Sequence, residues 1–301
     1  MKEILLITGA NGGIAKALYK LLKEEYEIRF LTRRKKNENE YEWDVQNSTI
    51  DENAFDNVKH IIHLAGANIS EKRWTKKRKQ ELISSRTNSA KLILNTLKKK
   101  NIRLKSFISA SGINFYGTKT TSKVFKENDS AGNDFLSKVV VAWENAADKF
   151  KEQNLTDRVV KIRTAVVLSK NEGALPKISQ PIKWGFGAAL GNGRQYMPWI
   201  HIDDICLIYQ FALKNENIQG SYNAVAPQHI TNENLTKCIS QILKKPIILP
   251  NVPAFMMKLF FGELANALLK GSRASSEKIQ EAGFCFKFPD LKMALLDSLK
   301  E

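Results

Sequence analysis

The sequence predicts an α/β fold: a doubly wound parallel sheet with helices on both faces, joined to a smaller, mostly helical C-terminal lobe. Three observations carry this reading. Short β-rich runs alternate with longer stretches of helical period through the first half of the chain. A glycine turn separates the first of these runs from the first helix. After Arg163 the alternation stops, and Gly173, Pro176, Pro181, Gly185, Gly187, Gly191 and Gly193 crowd one segment. A chain of 301 residues accommodates one such domain with an appended lobe.

Ile4-Leu5-Leu6-Ile7 is the continuous apolar run of a strand buried on both faces. Ile14, Ala17, Leu18, Leu21 and Leu22 then recur at i, i+3, i+4, i+7 and i+8, one face of a helix. Further strands are predicted at 28–31, 41–45, 61–64, 107–109 and 159–162, of which 41–45 has the weakest pattern. The periodic stretches 75–100 and 136–153 supply the long helices that right-handed crossovers between parallel strands require. Beyond the loop-rich segment, 203–213 reads as a helix returning to the main domain. Helices at 231–243, 253–269, 275–282 and 289–299 build the lobe. The division is therefore 1–170 and 196–228 for the sheet domain, 171–195 and 229–301 for the lobe. Val252 to Leu269 is the most apolar stretch, but Lys258, Glu263 and Asn266 interrupt it, so buried helices are expected there and no membrane span.

Composition narrows the function classes. With 43% hydrophobic and 26% charged residues the chain is neither disordered nor a disulfide scaffold. Cys206, Cys238 and Cys285 are widely separated and form no Cys-x-x-Cys pair, which argues against a zinc or other metal site and fits a reducing cytoplasm. The N-terminus enters its first strand at once, without the apolar core of a signal peptide. The charge of +16, from 47 Lys+Arg against 31 Asp+Glu, favours anionic partners. Thirteen basic residues between Lys72 and Lys105 meet one acid, Glu81. That run reads as a solvated helix face; only Trp74 interleaves it, so a nucleic-acid partner is not expected.

Thr8-Gly9-Ala10-Asn11-Gly12-Gly13-Ile14-Ala15 carries the chemistry. It stands between a buried strand and an amphipathic helix, where a dinucleotide pyrophosphate rests on a helix N-terminus. Gly9 permits the tight turn, Gly12 lets the backbone approach phosphate, and Ala15 lets helix pack on strand. After the second strand there is no acid to hold a ribose 2′-hydroxyl. Thr32-Arg33-Arg34 stands there instead, and a guanidinium pairs with a 2′-phosphate. The expected cofactor is NADP(H) over NAD(H).

Taken in order, these residues resemble a family. The glycine turn, Leu31-Thr32-Arg33, Trp43-Asp44, His63-Leu64-Ala65-Gly66, Lys72-Arg73-Trp74, Ser84-Ser85-Arg86, Ser109-Ala110-Ser111, Trp143-Glu144, Gly191-Asn192-Gly193-Arg194-Gln195 and Trp199-Ile200-His201-Ile202-Asp203-Asp204 are similar to the extended short-chain dehydrogenase/reductases. More narrowly they resemble the atypical epimerase-like branch of the NAD-dependent epimerase/dehydratase family, the YfcH-like proteins. The resemblance implies a Rossmann-type domain with cofactor contacts at Gly9, Asn11, Gly12, Gly13 and Ile14. It places Thr32 and Arg33 at the 2′-phosphate, Asp44 near the adenine, and Leu64, Ala65 and Gly66 along ribose and pyrophosphate. Arg86 and Ser109 complete the expected contacts.

The chain departs from the superfamily at the catalytic pair. Counted back from Trp143-Glu144, the expected Tyr-x-x-x-Lys positions hold Leu136 and Val140, and a register using Lys138 puts Asp134 in place of the tyrosine. Ser111 and Tyr116 remain as catalytic candidates, the latter only if a neighbouring cation or the cofactor ribose lowers its pKa from about 10. Arg194 and His201 fall on the substrate-facing stretch of the resemblance, and Asp203-Asp204 caps the helix that follows. Trp184, Phe186 and Trp199 either line the pocket or pack the lobe. The expectation is a monomeric or homodimeric NADP(H)-dependent oxidoreductase or nucleotide-sugar epimerase-like protein acting on a small carbonyl or hydroxyl compound. The alternative is a non-catalytic NADP(H) sensor on the same fold.

Overall fold

The structure, a computed structural model, describes residues 2–300. β1 (Glu3–Thr8) leads through the glycine turn into α1 (Gly13–Leu22), β2 (Tyr26–Thr32), β3 (Glu40–Asp44) and the two-residue β4 (Thr49–Ile50). Next come β5 (Val58–His63), α2 (Lys76–Lys99), β6 (Ser106–Gly112), β7 (Val124–Phe125), α3 (Phe135–Glu152) and β8 (Val159–Thr164). β9 (Val166–Leu168) and α4 (Ala174–Lys183) precede β10 (Trp199–His201), α5 (Ile202–Lys214) and β11 (Gly220–Ala224). The chain ends through α6 (Asn232–Leu243), α7 (Ala254–Phe261), α8 (Leu264–Leu269), β12 (Arg273–Ala274), α9 (Glu277–Glu281) and α10 (Leu291–Leu299).

Eight strands form one sheet in the order β11-β8-β6-β5-β1-β2-β3-β4, and only the edge pair β3–β4 is antiparallel. Strand order reverses at β1, which lies between β2 and β5, so a crevice opens outside the carboxyl ends of these strands. Leu5, Ile7, Ile62, Ile108 and Ile162 face Ala15, Leu18 and Leu22 of α1 and the apolar side of α5. On the other face Leu6, Ile61, Phe107 and Val159 pack against Ile93, Leu97, Ala147 and Phe150 of α2 and α3. Each Leu, Ile, Val or Phe among them contributes about 1.5–3 kcal/mol on full burial, which fixes the helices as two layers on the sheet. Thr75 and Asp134 start α2 and α3 by accepting the Arg78 and Ser137 amides.

The lobe has its own core, in which Leu175, Ile182, Leu235, Ile239 and Leu295 pack with Leu168, Trp199 and Ala226 from the returning segments. Trp199 is therefore lobe packing, whereas Trp184 and Phe186 stand in solvent. The apolar stretch expected as buried helices is different in the structure. Gly262, at φ +58°, breaks it into α7 and α8, and α7 anchors to the protein through Met257 while most of its other side chains are exposed. Among the described residues, no helix is long and apolar enough to cross a membrane.

Candidate functional site

Gly9 has φ +77°, and a Cβ there would stand 3.3 Å from the backbone of Leu64 and Ala65, so both conformation and space require glycine. The Gly12 amide closes the turn on the Gly9 carbonyl at 2.9 Å. Across the crevice Thr8 Oγ1 accepts the amides of Leu64 and Ala65, each at 3.0 Å. With both its lone pairs engaged, the hydroxyl donates to His63 Nδ1, also at 3.0 Å. His63 is then the neutral Nε2–H tautomer, and Nε2 donates to Ser89 Oγ at 3.1 Å. Burial holds this imidazole at a pKa of about 4. The relay ties β1, β5 and α2 together beneath the loop of Leu64, Ala65 and Gly66.

The residues present suit a dinucleotide. The first turn of α1 contains no acid, and Gly12 has no side chain with which to cap it. A carboxylate from elsewhere in the chain lies beside that turn. Glu172 Oε2 stands 3.0 Å from the position of a Gly13 Cβ, and Oε1 bonds Lys16 Nζ at 2.6 Å. Asn11 lies in the glycine turn that precedes α1, and Ile14 in the first turn of the helix. Arg86 makes a second attraction for anions. It is buried and has no carboxylate partner among the described residues. Nη1 and Nη2 bond the Leu82 and Ala67 carbonyls, the guanidinium lies 4.7 Å over Trp143, and Nε has no partner. Burial and the neighbouring Arg78 lower its pKa to about 10, so it is still a cation at neutral pH. Gly66 borders it, with 3.0 Å between Cζ and the position of a Gly66 Cβ.

Arg33 follows β2 and is exposed, and no ion pair holds it among the described residues. Thr32 is buried, and its hydroxyl donates to the Arg34 carbonyl, shaping the turn that presents Arg33. Asp44 closes a turn at the end of β3 by accepting the Gln46 and Asn47 amides and the Asn47 side chain, contacts that lower its pKa.

Ser111, Arg163 and Asn223 lie opposite one another across β6, β8 and β11. Glu144 of α3 meets them. Ser111 Oγ donates to Glu144 Oε1 at 2.6 Å, and Arg163 binds both carboxylate oxygens at 2.8 and 2.9 Å. Arg163 Nη1 reaches Tyr116 Oη at 2.9 Å, Tyr116 donates to Asn223 Oδ1 at 2.8 Å, and Asn223 Nδ2 donates to the Ser275 carbonyl. The cluster thus runs from the sheet to the lobe with its charges paired.

Tyr116 is expected as acid/base only if a neighbouring cation or the cofactor ribose lowers its pKa. A cation does stand beside it, but burial outweighs Arg163 and pushes the phenol up to about 12. His201, expected on the substrate side, is built into the protein. It is 1% exposed, accepts the Asp203 amide as the cap of α5, and stacks on Phe288 at 3.9 Å. Asp204, rather than capping freely, accepts the Lys287 and Phe288 amides. Ser109 is buried in mid-sheet with its hydroxyl on the Ala110 carbonyl. Arg194 is exposed near the start of α6, where the Gly193 carbonyl accepts the Glu233 amide. Leu136 and Val140 are buried apolar residues of α3.

The profile of the NAD dependent epimerase/dehydratase family matches residues 5–224, from within β1 to the end of β11. The chain belongs to that family. Its C-terminal part, 252–298, matches a domain of unknown function, DUF1731. An epimerase family protein of Mycobacterium bovis is 33% identical over 97% of this chain and 96% of its own length. One from Staphylococcus aureus is 32% identical over the full length of both. Among solved structures, human epimerase family protein SDR39U1, crystallised with NADPH, superposes with a TM-score of 0.87 at 27% identity, covering 98% of each chain. This epimerase/dehydratase family member therefore has the Rossmann-type fold of the extended short-chain dehydrogenase/reductases.

Sequence reasoning missed Glu144, Arg163 and Glu172 as site residues. A signal for the first two was present. Val139, Val140, Trp143, Ala147 and Phe150 mark the buried face of α3, and Glu144 falls within it. Lys161 and Arg163 alternate on one face of a central strand, and charges so placed need partners on the covering helix. Those partners are Asp148 and Glu144, one turn apart.

Proposed function

We propose that this family member binds NADP(H) across the strand ends in preference to NAD(H), and that it is an oxidoreductase or epimerase-like enzyme acting on a small carbonyl or hydroxyl compound. The observation that carries the cofactor reading is the exposed, unpaired Arg33 directly after β2, in a place where a ribose-binding acid is missing. The NADPH in human SDR39U1 supports it. When bound, the nicotinamide supplies a hydride donor or acceptor. In this chain Gly9, Gly12 and the start of α1 receive the pyrophosphate, Arg86 offers its free Nε to an anionic oxygen, and Arg33 pairs with the 2′-phosphate. Ser111 gives its proton to Glu144, so any substrate hydroxyl it meets donates to it. The three cysteines are free, which suits a cytoplasmic site of action.

Fluorescence titration with NADPH and NADH tests this. Arg33→Ala will weaken NADPH binding by roughly tenfold to a hundredfold, the range for one charge-assisted fork to phosphate, and leave NADH binding nearly unchanged. Equal losses for both cofactors would remove Arg33 from 2′-phosphate recognition. Glu172→Ala will have the opposite effect. Removing a negative charge beside the first turn of α1, and freeing Lys16, will tighten binding of both dinucleotides by roughly two- to fivefold, a small gain because the pair is exposed. Unchanged or weaker binding would show that Glu172 does not oppose the pyrophosphate.

The sensor reading draws support from the same cluster. Tyr116 is bonded on both sides, and Ser111 is committed to Glu144. It requires tight NADPH binding without turnover on a panel of carbonyl compounds, together with a protein partner whose affinity changes with NADPH.

A further inference from the structure

Among the described residues, nine of the twelve exposed large apolar side chains fall in two short segments, 184–186 and 248–261. Trp184, Phe186, Ile248, Phe255, Leu259 and Phe260 range from 63% to 77% exposed, a concentration that a solvated surface does not maintain without a partner. The segments are adjacent in space. The Val252 amide bonds the Ala189 carbonyl, and the Gly191 amide bonds the Val252 carbonyl, each at 2.8 Å. Glu233 of α6 borders this face, its Cβ 3.0 Å from the position of a Gly193 Cβ, and its carboxylate is paired with Lys237. Residues 173–202 and 244–262 contain no Asp or Glu, but carry Lys177, Lys183, Arg194, Lys244, Lys245 and Lys258. Glu263, just beyond α7, is neutralised by Lys79.

Charge decides what covers this face. Two copies of a chain with net charge +16, meeting through their basic faces, repel one another. A bilayer containing acidic phospholipid supplies an apolar layer and a negative surface in the geometry that aromatic and aliphatic side chains ringed by lysines fit. We propose that α7 and the 184–186 turn dock this protein on the surface of an anionic membrane, with Phe255, Leu259 and Phe260 entering the interface and Lys244, Lys245 and Lys258 meeting the headgroups. The docking is peripheral.

Flotation of the full chain with vesicles of phosphatidylglycerol and phosphatidylcholine, against vesicles of phosphatidylcholine alone, tests the proposal. The protein is expected to float with the acidic vesicles, less so as salt rises, and to stay behind with the neutral ones. Phe255→Glu with Leu259→Glu will weaken vesicle binding by roughly a hundredfold, from the loss of two interfacial side chains and the added repulsion. Both positions are exposed, so the variant folds, and an unchanged thermal melt and NADPH titration verify this. Lys244→Gln with Lys245→Gln and Lys258→Gln will abolish the preference for acidic lipid. Failure to bind either vesicle, equal binding to both, or an unaffected double variant would overturn the proposal. So would a wild-type dimer in sedimentation that the double variant dissociates, since a second copy would then occupy the face.

Discussion

Arg163→Met will cost about 3–5 kcal/mol of folding stability, because it leaves the buried Glu144 carboxylate without its cation. Ser111 and the more distant Ser221 are the contacts that would remain to it, at 2.6 and 3.4 Å. Tyr116 would lose a donor to its hydroxyl, and Phe115 the guanidinium that lies 3.5 Å from its ring centre. The double variant Arg163→Met with Glu144→Leu removes both charges and will recover most of the loss, since no uncompensated ion is left inside. Urea denaturation of wild type, single and double variants reads this directly. A loss below about 1 kcal/mol in the single variant would mean that water or a rearranged side chain already solvates Glu144.

Acidification will destabilise the protein through His63 well before most carboxylates titrate. Its folded pKa is about 4 against an ordinary value of 6.5. Above pH 6.5 the ring is neutral in both states and the full stability is present. As pH falls toward 4 the unfolded chain takes up a proton that the folded one refuses. The lowered folded pKa therefore makes stability fall with acid, by about 3 kcal/mol once pH reaches 4. His60 and His201 are also lowered by burial and add to the slope. The His63→Asn variant isolates the effect: its stability will change less between pH 6.5 and 4 than that of wild type, by that amount. Parallel pH profiles would place the proton elsewhere.

The first strand, the glycine turn and α1 were legible in the sequence because an unbroken apolar run and a clean helical period are local properties. β11 was not. Gly220-Ser221-Tyr222-Asn223-Ala224 has no apolar run, because Ser221 and Asn223 point into the polar cluster that the run would otherwise have filled. Arg33 was readable as the residue after a strand, whereas the Thr8–His63 relay joins residues 55 apart and exists only when β1 and β5 lie side by side. Glu172 reaches α1 from 156 residues away, beyond any local pattern. For α7, composition misled, because apolar residues imply burial only where the fold supplies something to bury them against.

The place of β11 in the sheet constrains how this chain comes off the ribosome. The sheet has seven strands until Ala224 has been synthesised, and β8 stands as an open edge until then, able to pair with any extended segment nearby. Synthesis at roughly 5–20 residues per second spans several seconds between Thr164 and Ala224. Asn223 then waits for Ser275 to engage its side-chain amide, so the sheet and the tail beyond α8 finish together. A chain truncated after residue 224 would complete its sheet and leave the Asn223 amide to water in place of the Ser275 carbonyl.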